Sequence, residues 1–184
     1  RLLESVMSGY FTPQDDYEDF GPSKSDQKKS SDRLQALGER LAEMNEAQLR
    51  KLPIDEPLLK ALLDFKRIKA HEAIRRQRQF IGKLMRQVDE AALLNALNPL
   101  RNPALQRQLD LLMARLIAQG DELLGEVMSR FPDADRHTLR TLVRLARKEV
   151  ASAEAAGSTE INEITRPARH KLWIYLRELA ALAL

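Results

Sequence analysis

The chain has 184 residues, 43% of them apolar and 31% charged, with a net charge of +3 and no cysteine. The missing thiols exclude disulfides, thiolate zinc sites, iron–sulfur clusters and cysteine nucleophiles. Glycine is scarce and no long period-two run of β-branched residues occurs, so a large β-sheet is disfavoured and an all-α, multi-helical bundle of amphipathic helices is expected. No apolar run approaches the roughly 18 residues of a membrane span, and no basic segment leads into an apolar one as in a signal peptide. A cytoplasmic protein with no membrane partner is therefore expected, and Met7-Ser8 is a candidate natural start.

Residues 1–22 read as a disordered acidic tail. Gly9, Pro13, Gly21 and Pro22 leave no apolar period to bury, and Asp15, Asp16, Glu18 and Asp19 interleave with Tyr10, Phe11, Tyr17 and Phe20. It is either a solvated tail or an interaction segment. Residues 23–184 are expected to form one helical domain. Its first helix runs from about Ser25 to Asn45 on a stripe of Leu34, Leu37, Leu41 and Met44. Pro53 and Pro57 then bracket a turn in which Asp55 caps the following helix.

Between residues 66 and 88 the apolar face changes phase. Ile74, Phe80, Ile81, Leu84, Met85 and Val88 share one side, and Phe65 and Ile68 lie on the other. Either the helix breaks near Lys69–Glu72, or one helix is covered first on one face and then on another. Asp89 opens a short helix ending at Asn98-Pro99, and Asn102-Pro103 reads as a cap with proline in the first helical position. Leu105, Leu109, Leu112 and Leu116 form the next stripe, ended by Gly120. Asp121 is expected to cap a short helix through Phe131, and Asp133 or Asp135 the helix that runs to about Ala156. The inner face of that helix is Leu139, Leu142, Val143, Ala146 and Val150. Gly157–Thr165 is a polar connector, and a last helix from Thr165 and Pro167 faces inward with Leu172, Leu176, Leu179 and Ala183.

Charge is segregated along this order. Residues 66–86 carry eight bases and one acid, residues 87–135 four bases and eight acids, and residues 136–184 nine bases and five acids. Within the first basic block Arg75, Arg76, Gln79, Lys83 and Arg86 lie opposite the apolar stripe. A merely solvated helix face usually mixes signs, because like charges four apart repel; a phosphate backbone would relieve that repulsion. Guanidinium groups also suit forked bonds to phosphate and stacking on bases. The alternative is a solvated face paired with acids of residues 87–135. A second strip, Arg136, Arg140, Arg144, Arg147 and Lys148, steps along the next basic helix, with Arg166, Arg169 and Lys171 as extensions. Lys66 and Arg67 precede the first strip.

Other chemistry is weakly signalled. His71, His137 and His170 lie far apart and form no HxxxH or HExxH pair. Asp133-Ala134-Asp135 resembles a metal-holding DxD, but after Pro132 at a helix start a capping role explains it better. Trp173 and Tyr175 either stack on bases or, the better reading, anchor the last helix. Glu122–Glu149 has the outline of a helix–turn–helix, yet its evenly spaced arginines suit backbone contact more than base reading.

The stretches Arg75–Arg86 (RRQRQFIGKLMR), Phe131–Arg140 (FPDADRHTLR) and Tyr175–Leu179 (YLREL), with Ser23-Lys24-Ser25 and Lys51–Asp55 in register, resemble the bacterial DarP/YjgA family of dual-action ribosomal maturation proteins. The resemblance covers about residues 23–182. It implies an all-helical protein that associates with large-subunit precursors, contacts large-subunit ribosomal RNA and assists late maturation near the peptidyl transferase centre. One difference stands at Ala151–Pro167, which is longer than the family's short basic connector and carries Glu154, Glu160 and Glu163; that weighs against RNA contact there.

The expectation is a non-enzymatic factor without cofactor, metal or small-molecule substrate. Its partners would be ribosomal RNA of pre-50S and 50S particles, with ribosomal proteins as further contacts. Its RNA-binding residues would be Lys66, Arg67, Arg75, Arg76, Gln79, Lys83, Arg86, Arg136, Arg140, Arg144, Arg147, Arg169 and Lys171. The alternatives are a protein-interaction adaptor docking through Asp15–Phe20, or a helix–turn–helix-like DNA-binding module.

Overall fold

A computed structural model describes residues 23–158 and 166–183. The acidic tail and most of the Gly157–Thr165 connector lie outside the described residues. Among the described residues the protein is all-α, with no strand.

Side-chain caps set most helix starts. Ser23 and Asp26 make a reciprocal capping box at the head of α1 (Lys24–Glu43). Asn45 caps the one-turn α2 (Glu46–Leu49), its Oδ1 accepting from the Gln48 amide at 2.8 Å. Asp55 caps α3 (Glu56–Phe65) as expected, accepting from Leu58 N. The phase change resolves as a true break: the chain turns through residues 66–70, and α4 (His71–Met85) begins afresh.

Three sequence expectations are corrected here. Asp89 does cap α5 (Glu90–Arg101), but that helix continues through Pro99. The proline deprives only the Asn95 carbonyl of a partner, and Asn95 is exposed to water. Asn102 ends α5, and its side chain accepts from Ala104 N, so α6 (Leu105–Gln119) starts two residues beyond Pro103. Asp121 caps nothing; it lies in a 3-10 turn, Gly120–Leu123, that runs directly into α7 (Leu124–Arg130). Gly120 does end α6, with φ +68, a conformation that disfavours any side chain. Of the two candidate aspartates Asp135 caps α8 (Arg136–Ala155), while Asp133 stays exposed.

The core forms two apolar clusters. Leu37, Leu41, Leu58, Leu62, Ile81, Met85, Leu93 and Leu97 fill one, among α1 to α5. Leu109, Leu112, Leu116, Val127, Phe131, Leu139, Val143 and Ala146 fill the other, among α6 to α8. Helix α9 (Pro167–Leu182) joins them: Leu172, Tyr175, Leu176 and Leu179 enter the second, and Ala181 and Leu182 the first. It packs on α8, α5, α1 and α6. The expected inward face of α9 is present, although Ala183 is only half-buried. The helix is in fact enclosed on nearly every side from Tyr175 to Leu182, charged Arg177 and Glu178 included.

Those two side chains meet partners the sequence did not suggest. Arg177 is fully buried, donates to Asp110 on α6 and lies 4.1 Å above the Trp173 ring. Glu178 accepts from Arg33 on α1, and burial together with the nearby Glu90 carboxyl pushes it well above the usual carboxylate range. The start of α9 is held from α8, where the Glu149 carboxylate accepts from the Ala168 and Arg169 amides at 3.0 and 2.8 Å.

Candidate nucleic-acid interface

Helix α4 is the outer rod of the first cluster. It packs on α1 and α3, with Ile81, Leu84 and Met85 turned into the cluster. Gly38 of α1 permits the approach: a Cβ there would meet Ile81 and Met85 at 3.0 Å. Gln77 Nε2 donates to the Ala61 carbonyl at 2.8 Å, and Gln35 Nε2 to the Arg78 carbonyl at 3.1 Å. With the rod's roll thus set, Arg75, Arg76, Gln79, Lys83 and Arg86 all face solvent.

Carboxylates neutralise part of this strip. Glu72 accepts from Arg75 at 2.7 Å and sits 3.5 Å from Arg76, so one acid is shared by two guanidinium groups. Lys83 and Arg86 have no carboxylate within 4 Å among the described residues, and neither does exposed Arg67 in the preceding turn. The acids of residues 87–135 do not reach α4. Lys66 is engaged by the fold, its ammonium donating to the Met44 carbonyl at the end of α1.

The second strip runs along α8, where Arg136, Arg140, Arg144, Arg147 and Lys148 are exposed opposite buried Leu139, Val143 and Ala146. Here an acid of the 87–135 block does intervene: Asp121 in the 3-10 turn pairs with Arg140 at 2.8 Å. Arg147 lies over the same turn, so close that a Cβ on Gly120 would fall 2.2 Å from its Nη1. Arg136 and Arg144 have no carboxylate partner among the described residues. On α9 Lys171 is exposed and Arg169 half-buried.

Helix α1 brings the strips toward one another. Arg86, at the end of α4, lines a shallow groove with Asp26, Gln27, Ser30, Ser31 and Leu34. On the adjoining side of α1, Lys29 reaches Asp135 at the head of α8 at 3.1 Å. The N-terminal half of α1 thus meets Arg86 at the end of α4 and, through Lys29, the residue that precedes Arg136. Lys24 and Lys28 are exposed on that half. The Asp135 carboxylate is committed: bonds from the Thr138 hydroxyl and amide, then Lys29, hold it down to about 2.

The competing chemical motifs take other roles. Asp135 is a cap and ion-pair partner, not half of a metal pair, and no group of three His, Asp or Glu able to hold a metal occurs among the described residues. The Tyr175 hydroxyl accepts from Asp135 N at 2.9 Å while its ring is buried, so Tyr175 is an anchor. Trp173 is stacked on His170, with ring centroids 5.6 Å apart, and covered by Arg177. The head of α8 is acidic at Asp133 and Asp135 and abutted by α1 and α9, which suits base reading in a major groove poorly.

Phe80 corrects the helical-wheel reading. The wheel puts it with the apolar stripe, but it is 47% exposed. At about 100° per residue it lies roughly 100° from Ile81 and only about 40–60° from Arg76 and Lys83. The stripe that α1 and α3 cover is narrower than the apolar sector of the sequence.

This arrangement was compared with known proteins. A family model described as dual-action ribosomal maturation protein DarP matches residues 20–176. A protein of that name from Vibrio vulnificus is 46% identical over 132 residues, covering 69% of this chain and 71% of that protein. Its namesake from Aeromonas hydrophila is 40% identical over 156 residues, covering 80% and 84%. The one from Erwinia tasmaniensis is 37% identical over 172 residues, covering 91% and 90%. The chain belongs to the dual-action ribosomal maturation protein DarP family.

Proposed function

We propose that this chain is a cytoplasmic, non-catalytic ribosomal maturation factor whose two cationic rods dock on folded large-subunit ribosomal RNA. The observation that carries the reading is the set of exposed cations Arg67, Lys83, Arg86, Arg136 and Arg144, without a carboxylate partner among the described residues, on or beside rods whose opposite faces are packed in the core. Rigid rods hold their charges at fixed spacing, and a folded RNA presents phosphates at fixed spacing, so shape and charge select together. Two rods flanking α1 suit a bent or multi-helix RNA surface better than a single straight duplex.

The mechanism is positional. Holding RNA helices in near-native arrangement lowers the free energy of productive intermediates relative to trapped folds, and no bond is made or broken. The finer placement, on pre-50S particles in late maturation near the peptidyl transferase centre, follows from the family resemblance. Gln79, Arg169 and Lys171 would add contacts at the margins, and Arg75 and Arg76 would contribute the one charge that Glu72 leaves over, while Arg140 stays with Asp121.

The test is gradient sedimentation of cell extract carrying the fourfold variant Arg75→Glu, Arg76→Glu, Lys83→Glu and Arg86→Glu, with folding checked by circular dichroism. The folded variant is expected to shift from large-subunit precursor fractions to the top of the gradient. Undiminished co-migration would refute the α4 assignment.

A further inference from the structure

The described residues include five aromatic side chains outside histidine, and four have their rings covered by a cation. Arg78 lies 5.9 Å from the Phe65 ring, Arg130 5.3 Å from Phe131, Arg33 5.0 Å from Tyr175 and Arg177 4.1 Å from Trp173. Among the described residues Phe80 alone is both exposed and without such a cover. It stands in the middle of α4, within one helical turn of Arg76, Gln79 and Lys83, all exposed.

We propose that Phe80 is a base-stacking residue, taking an unpaired nucleobase of the RNA whose phosphates bind Lys83 and its neighbours. The inference deepens the RNA reading above and rests on it. An open ring bordered by cations matches the two chemistries of an unpaired nucleotide: a flat apolar face, and a phosphate within a few ångströms of it. A paired duplex offers no base face to a side chain, so the site selects a bulge, loop or strand end. Charge complementarity favours this occupant over an apolar pocket on a protein, since such a pocket would have to bury Arg76 and Lys83 beside the ring. Leu111 and Leu145 are also exposed but have no ring to stack.

The experiment uses the full chain and three blunt-ended RNA hairpins of equal charge per nucleotide, each closed by the same abasic loop: one with a single bulged adenosine, one with an abasic nucleotide at the bulge, and one with a fully paired stem. Affinities are measured at one salt concentration for the wild type, Phe80→Ala, Phe80→Leu and Phe80→Tyr. The side chain is exposed, so all variants are expected to fold as the wild type does. The wild type and Phe80→Tyr should prefer the bulged adenosine to the abasic bulge by about tenfold, the scale of one base–aromatic stack. Phe80→Ala and Phe80→Leu should lose that preference while binding the paired hairpin within about twofold of wild type.

Wild-type binding to all three hairpins alike would overturn the stacking assignment and leave the RNA reading standing. Phe80→Leu behaving as wild type would do the same. If Phe80→Ala left every RNA affinity unchanged yet was lost from ribosomal particles, Phe80 would belong to a protein contact, and the proposal would fail. Wild type binding no hairpin even at low salt would sink the RNA reading itself.

Discussion

Replacing Lys83 and Arg86 together by glutamine removes two exposed cations that no carboxylate among the described residues neutralises. Each phosphate contact contributes about 0.7 (single strand) to 0.9 (duplex) to the slope of log affinity against log salt. Arg67, Lys83, Arg86, Arg136 and Arg144 are unpaired, and Arg75 and Arg76 share Glu72, equivalent to one further charge. About six contacts give a slope near −5, or roughly a thousandfold loss of affinity for a fourfold rise in salt. The double variant should flatten the slope by about 1.5–2, leaving a loss of roughly fifty- to a hundredfold over the same rise. Arg140→Gln is the control: Arg140 already pairs with Asp121, so removing it should change the slope by under about 0.5. The assay is fluorescence anisotropy with a labelled ribosomal RNA hairpin between 50 and 200 mM salt. An unchanged slope in the double variant, or an equal loss from Arg140→Gln, would refute the counting of free cations as binding charges.

Gly120→Ala should cost about 1–3 kcal/mol, because φ is +68 and the added Cβ displaces the Arg147 guanidinium; a thermal melt no lower than wild type would contradict it. Glu178 supplies the pH dependence. Burial first, then the Glu90 carboxyl, raises it in the folded state above its unfolded value. The fold therefore holds a proton that the unfolded chain releases. Its contribution is fully present below the ordinary carboxylate range and declines as pH rises toward the elevated folded value. Urea midpoints should fall between pH 5 and pH 8.5, and Glu178→Gln should flatten that fall. A midpoint that rises with pH, or an undiminished fall in the variant, would show that other groups dominate.

Several features were legible in the sequence because they are local. The Asp55, Asp89 and Asp135 caps follow from a short side chain bonding an amide three residues on. The apolar stripe's change of sides between Phe65 and His71 was legible too, though it suited a break or one helix covered on two faces, and the fold chose the break. The outward cations of α4 and α8 follow from helical periodicity alone. Pro99 misled because a proline near a helix end costs little when the orphaned carbonyl faces water. Phe80 misled because the wheel gives its angle about the helix axis and not the width of the sector that α1 and α3 cover.

By itself the sequence determined an all-helical chain, the caps at Asp55 and Asp89 and two rods with cations turned from their apolar faces, since each depends on residues within a turn or two of one another. Which cations remain free was decided only by tertiary structure: Asp121 meets Arg140 across a turn, Lys66 is spent on the end of α1, and Lys83 and Arg86 are left open. The enclosure of α9 and the contacts of α1 with Arg86 and with Asp135 were likewise settled by packing. Periodicity orients a residue about its own helix, whereas pairing and burial depend on which other helix arrives there, and that is fixed by the balance of contacts over the whole fold.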